Sequence, residues 1–164
     1  MALVELMLGT GLRVSEVLAL KVEDVIVKPR QGEVVVWRGK GGVYRRVPLT
    51  ASVRTALRNY LETQPELKPD GPLWVGERGP LKDRGSVLYL LKKYAFQAGM
   101  DESLVSSHIL RHTLASRYLT TNPGDLRGLA AILGHSNLNT VLIYTEPSVQ
   151  DLANRMEQAE VGSV

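Results

Sequence analysis

A chain of 164 residues, 44% hydrophobic and 23% charged, is long enough for one globular domain with a substantial core. It contains no cysteine, which excludes disulfides, thiol catalysis and cysteine-ligated metals; with no apolar run of bilayer-spanning length and no signal-peptide pattern, a cytoplasmic protein with no membrane contact is expected. The net charge of +3 is uneven, with 16 Lys and Arg against 10 Asp and Glu in residues 1–100 and 4 against 7 in residues 101–164. A basic front suits a polyanionic partner and an acidic end a protein contact, although charge alone fits an ordinary basic protein equally well.

Residues 1–8 are apolar in a helical pattern that begins without a capping residue, as expected of a fragment of a longer protein, and Gly9-Thr10-Gly11 is expected to break it. Residues 12–18 resume as a helix, with Leu12, Val17 and Leu20 available for the core. Arg13 and Glu16 stand three apart on it. They form either a surface ion pair worth about a few tenths of a kcal/mol or a carboxylate that holds a guanidinium in place for a phosphate. Residues 33–38, rich in β-branched and aromatic side chains, and residues 43–49 predict two strands around Gly39-Lys40-Gly41-Gly42, a β-hairpin with Lys40 at its tip. Lys40 lacks the glycine spacing and the following Ser or Thr of a P-loop, and alone it reads as a solvated turn residue. An amphipathic helix is predicted over 51–64, a loop over 65–72 and a short strand over 73–75. Asp83 then caps a helix over 84–99 that carries Lys92 and Lys93, basic residues that suit either solvent or DNA phosphates.

Ser106-Ser107 are good N-cap residues for a helix beginning at His108, in which Leu110, Leu114 and Tyr118 define a buried face. His108 and Arg111 leave its first turn in neighbouring directions, and together with the N–H groups of the helix start they make a site for a phosphate oxyanion. A capping histidine and an unspecific arginine explain the same stretch. Thr121-Asn122-Pro123-Gly124 predicts a turn, Asp125 caps a helix through Leu133, and Gly134 closes it. A short helical run containing Tyr144 ends at Pro147, and a final amphipathic helix places Val149, Leu152 and Met156 on one stripe. His108 and His112 have a zinc-like spacing, but no Glu follows His108 and no third ligand stands nearby, so no metal is expected. Ser and His occur without a glycine-flanked nucleophile turn. Tyr144 alone reads as an ordinary aromatic.

Four stretches taken together resemble the tyrosine recombinase (phage integrase) family, its Xer-like bacterial members above all. They are Gly11-Leu12-Arg13-Val14-Ser15-Glu16, the Gly39-Lys40-Gly41-Gly42 turn, His108-Ile109-Leu110-Arg111-His112-Thr113, and Leu133-Gly134-His135 with Tyr144 nine positions later. The resemblance covers essentially the whole chain. It implies an α+β, mainly α-helical fold, the DNA breaking-rejoining catalytic domain with a small antiparallel β-sheet, over residues 1–164 with a tail helix at about 147–160. It implies site-specific recombination or integration, in which double-stranded DNA is cleaved and rejoined through a 3′-phosphotyrosyl intermediate. The covalent link conserves the bond energy, so no metal or nucleotide cofactor is implied.

On this resemblance Arg13 and Arg111 match the pair that holds the non-bridging oxygens, and Tyr144 matches the nucleophile. Lys40 matches the general acid for the leaving oxygen, His108 the residue that helps take the phenol proton, His135 a hydrogen-bond donor to the scissile phosphate, and Glu16 the supporting acid. Tyr144 is followed by Thr145-Glu146-Pro147 where many relatives carry a His after the Thr, and the turn at 122–123 is about a residue longer than in close relatives. Family members usually carry an N-terminal helical domain that clamps the other side of the DNA, and residues 1–164 are expected to correspond to the catalytic domain alone. A homo-oligomer on DNA is implied, joined through the tail helix, with a monomer expected in isolation; the helix folding back on its own domain is the other arrangement. Two further readings stay open: DNA relaxation in the manner of type IB topoisomerases, and a non-catalytic DNA-binding module of the same fold.

Overall fold

A computed structural model describes residues 1–37, 45–76 and 79–134, together with Ala153 and Met156. The first helix, α1 (Ala2–Thr10), buries Leu3, Leu6 and Met7 against α3 (Ala51–Glu62) and α5 (Ser107–Thr121). It runs on through Gly9 and Thr10 and stops only at Gly11, at φ +62°, whose N–H donates to the Met7 carbonyl. Gly9 is therefore a packing glycine and not a breaker: a Cβ there would lie 2.4 Å from Val53 Cγ2 of α3. The next helix, α2 (Val14–Ala19), starts after Arg13 in an extended conformation, and Leu12, Val17 and Leu20 enter the core as the sequence predicts.

A short 3-10 turn (Val22–Asp24) leads into β1 (Val25–Val27), a strand that the sequence reading does not contain. It pairs with β2 (Gly32–Val36), and β2 pairs antiparallel with β3 (Arg45–Pro48), giving a three-stranded sheet of order β1-β2-β3. The two strands of the predicted hairpin are thus present; its turn, with Lys40, lies outside the described residues. Val25, Val34 and Val47 pair across the sheet and face the main core. On β3 the period of two buries Arg45 and Val47 and exposes Arg46 and Pro48.

Thr50 caps α3, which buries Val53 and Leu57. The predicted strand over 73–75 is instead a core segment, with the strand shifted on to β4 (Val75–Gly76) paired with β5 (Gly79–Pro80). Leu73 and Trp74 are buried because their own polar groups are met: the Leu73 N–H donates to the Leu20 carbonyl at 2.8 Å and Trp74 Nε1 to the Val17 carbonyl at 3.1 Å. Asp83 caps α4 (Arg84–Gln97) by accepting from the Ser86 N–H, and Val87, Leu91 and Ala95 line its buried face.

Ser106 caps α5 by accepting from the Ile109 N–H, and Asp125 caps α6 (Leu126–Leu133) by accepting from the Gly128 N–H. Gly134, at φ +67°, ends α6. The face of α5 departs from expectation: Leu110, Leu114 and Tyr118 are only partly buried, while Arg111 and Ala115 are buried fully. The helix lies across the seam of two apolar clusters. Leu110 packs on the large one beneath α1, and Leu114 and Tyr118 on a smaller one made by Ala115, Leu129, Ala130 and Leu133.

The fold is α+β, mainly helical with small antiparallel sheets. No helix among the described residues is long and apolar enough to cross a membrane. Of the predicted tail stripe, Val149 and Leu152 lie outside the described residues and Met156 is exposed.

Candidate active site

Arg111 projects from the first turns of α5 into the seam between the clusters and is 5% exposed. A buried guanidinium must find acceptors, and the neighbouring helix ends supply them. Its Nη1 donates to the Gly11 carbonyl and its Nη2 to the Leu133 carbonyl at 2.8 Å. These carbonyls sit at the C-terminal ends of α1 and α6, where the helix dipoles favour positive charge. Gly11 makes the approach possible. Besides its left-handed φ, a Cβ there would lie 2.7 Å from Leu114 Cδ2 and 2.8 Å from Leu133 Cδ2.

Two residues beyond Gly11, Arg13 directly precedes α2, and Glu16 reaches back to it. Each oxygen of the Glu16 carboxylate accepts one bond from Arg13 and one from Arg45. Oε1 accepts from Arg45 Nη1 at 2.9 Å and from Arg13 Nη1 at 3.3 Å; Oε2 accepts from Arg45 Nη2 at 3.0 Å and from the Arg13 backbone N–H at 2.9 Å. The Arg45–Glu16 pair is a fork, and both side chains are about nine-tenths buried. Burial alone pushes the Glu16 carboxyl upward. The Arg45 fork, the Arg13 N–H and the two positive charges outweigh it and hold the group below the ordinary carboxylate value.

Arg45 also donates from Nε to the Ile132 carbonyl at 2.9 Å, so β3 is tied to the end of α6. Gly134 closes over the guanidinium, where a Cβ would lie 2.6 to 2.9 Å from its atoms. The sequence reading pairs Glu16 with Arg13 alone and does not contain Arg45. The signal was available in the strand period, since a charged residue two positions before Val47 shares its inward face.

The structure therefore gathers Arg13, Glu16 and Arg111 where α1, α2, α5 and α6 meet, with Arg45 added from β3. Arg13 is the most open of them, its side chain 37% exposed. His108 lies one turn before Arg111 but is exposed, so the two differ in depth, and its ring makes no hydrogen bond among the described residues. Of the N–H groups at the start of α5, that of Ile109 donates to the Ser106 hydroxyl. His112 Nδ1 stands 3.3 Å from Ser116 Oγ in the next turn. Lys40, His135 and Tyr144 lie outside the described residues. Their chain neighbours are placed, however: Val36 pairs with Arg45 at the foot of the segment that contains Lys40, and Gly134 precedes His135. Among the described residues no three of His, Asp and Glu gather as a metal site. What the arrangement offers is three guanidiniums against a single carboxylate, a local excess of positive charge suited to an anion.

A model of the phage integrase family matches residues 1–151. The chain is similar to the tyrosine recombinase XerC of Nitrobacter winogradskyi, 39% identical over 146 residues that make up 88% of this chain and 44% of that protein. It is similar to the tyrosine recombinase XerA of Thermococcus onnurineus, 40% identical over 159 residues, 95% of this chain and 54% of that one. The chain thus spans about half the length of the curated relatives it matches. Among solved structures, the crystal structure of a XerA recombinase superposes with a TM-score of 0.79 at 31% identity over 96% of this chain and 57% of that chain. The XerH site-specific recombinase bound to its difH substrate in a pre-cleavage complex superposes with a TM-score of 0.75 at 27% identity, covering 94% and 45%. Matched by the family model along nine-tenths of its length and folded as these recombinases are, the chain belongs to the phage integrase family.

Proposed function

We propose that residues 1–164 form the catalytic unit of a site-specific DNA recombinase that cuts and rejoins double-stranded DNA in the cytoplasm through a 3′-phosphotyrosyl intermediate. The observation that carries this reading is the bond from buried Arg111 to the carbonyl of Gly11, which brings the guanidinium of α5 to the loop that presents Arg13. Two arginines held in this way suit the non-bridging oxygens of one phosphodiester, whose negative charge grows during attack.

In the reaction the phenol oxygen of Tyr144 attacks phosphorus and the bond from phosphorus to the 5′ oxygen breaks. The phenol proton passes toward His108, and the departing 5′ oxygen takes a proton from Lys40. His135 donates a hydrogen bond to the scissile phosphate, and Glu16 keeps Arg13 in place. Rejoining is the same sequence reversed, with a 5′ hydroxyl attacking the phosphotyrosine. The sequence of the tail, with Val149, Leu152 and Met156 on one apolar stripe and an acidic surround, supports a homo-oligomer on DNA joined through the C-terminal helix.

The test is covalent trapping on a library of nicked duplexes, in which the short fragment beyond the cut diffuses away and leaves the protein attached. A denaturant-stable adduct mapping to Tyr144, with a shared sequence in the attached DNA, is the expected result. A folded protein that retains DNA and yields no adduct overturns the reading.

A further inference from the structure

We propose that Arg45 is a positioning residue for Arg13, acting through Glu16 to keep the Arg13 guanidinium available to the scissile phosphate. The inference rests on the reading that Arg13 holds that phosphate. Glu16 has two oxygens and about four lone-pair positions. With Arg45 forked onto it at 2.9 and 3.0 Å, and the Arg13 N–H on Oε2, only one position is given to the Arg13 side chain, by a bond of 3.3 Å. Arg13 is steadied without being captured.

Remove the fork and the carboxylate can turn both oxygens toward Arg13 as a bidentate pair, the geometry a phosphate would need. Glu16 would change from a support into a competitor. The charge argument runs the same way, because Arg45 neutralises a carboxylate that would otherwise repel DNA phosphate beside the site.

The surroundings of Arg45 are built for this one side chain. It is 8% exposed, its Nε is spent on the Ile132 carbonyl, and Gly134 leaves the space that a Cβ would fill. Lysine keeps the charge but cannot supply a planar two-pronged fork together with a third bond in the same plane.

The experiment compares single-turnover adduct formation on three versions of the nicked duplex recovered by trapping. One carries an ordinary scissile phosphate, one a neutral methylphosphonate, and one a 5′-bridging sulfur that needs no proton to leave. Arg45→Lys is expected to slow adduct formation on the ordinary phosphate by about tenfold or more relative to the wild type. On the methylphosphonate, which has less need of a positive charge, the deficit should shrink to about threefold or less, as it should for Arg13→Ala. The bridging sulfur should leave the Arg45→Lys deficit in place.

Equal deficits on all three substrates would mean that Arg45 serves folding alone, and rescue by sulfur would mean that it acts through the Lys40 segment; either overturns the proposal. If Arg13→Ala is not relieved by the methylphosphonate, the assignment of Arg13 itself fails, and this inference with it. If Arg13→Ala is relieved and Arg45→Lys is not, this inference fails alone. A thermal melt establishes that Arg45→Lys folds. Should it not, Arg45→Gln takes its place, since its amide can still donate one bond to the Glu16 carboxylate without supplying the fork. The same three-substrate pattern is expected of it.

Discussion

Arg111 and Gly11 stand a hundred residues apart in the chain and are joined by a hydrogen bond from the Arg111 guanidinium to the Gly11 carbonyl. The contact makes a candidate phosphate-binding residue into part of the framework, because the same guanidinium also caps the end of α6 at Leu133. Stability and function are therefore linked at this position. Replacing Arg111 by Met keeps most of the volume and leaves two buried carbonyls without their donors. The expected loss is about 3 kcal/mol in urea unfolding, and a loss below about 0.5 kcal/mol would show that water meets these carbonyls as well as the guanidinium does.

Glycines at positive φ separate backbone strain from packing. Gly11 and Gly124 both adopt left-handed conformations, at φ +62° and +82°, but a Cβ at Gly124 meets nothing within 4 Å. Gly124→Ala should cost about 1 kcal/mol from conformation alone. Gly11→Ala adds contacts of 2.7 and 2.8 Å to Leu114 and Leu133 and should cost at least about 2 kcal/mol more. Urea midpoints of the two variants decide it. Equal costs would mean that the seam between α1, α5 and α6 yields freely.

The same residues show how far the sequence could be read. The caps were legible because each is a local bargain between a side chain and one helix end: Ser106 for α5, and Asp125 with Gly134 for α6. The gathering of Arg13 with Arg111 was reachable only through the family pattern, since nothing within ten residues of Arg111 signals a partner in α1. Arg45 was missed because a charge in a strand reads as an outward residue unless the strand period is counted from Val47. Gly9 was misread for a related reason. Its helix tolerates a glycine because α3 packs against the bare Cα, a tertiary contact that overrides local propensity.

Glu16 gives the fold a specific acid sensitivity. Its folded carboxyl lies below the ordinary value of 4.5, so the unfolded chain takes up the proton first as pH falls. The stabilisation is complete above the unfolded value and disappears as pH drops through the folded one. At neutral pH, Glu16→Gln should cost about 3 kcal/mol, because Arg45 loses its fork while staying buried. The gap between wild type and variant should stay level from pH 8 to about pH 5 and then narrow. Asp83, Asp101 and Asp125 are also held low by their hydrogen bonds, but they are common to both proteins and cancel in the difference. A gap that widens toward acid would mean that Glu16 is stabilised as the neutral acid.

The chemistry assigned to Tyr144 and Lys40 separates cleanly in two variants. Tyr144→Phe removes one oxygen and keeps the ring, so DNA affinity should change by less than about twofold while the covalent adduct disappears, because the nucleophile is gone. Lys40→Ala should keep the adduct but slow its formation by about a hundredfold or more on an ordinary phosphate, since an alkoxide leaving without a proton is a poor leaving group. A 5′-bridging sulfur departs as a thiolate, whose conjugate acid is far stronger than an alcohol, and should restore most of the rate to Lys40→Ala. It should restore nothing to Tyr144→Phe, which lacks the attacking atom whatever group departs. The asymmetry is what distinguishes an acid from a nucleophile. If sulfur leaves the Lys40→Ala rate unchanged, the proton comes from elsewhere, and an adduct that survives in Tyr144→Phe hands the nucleophile to another residue.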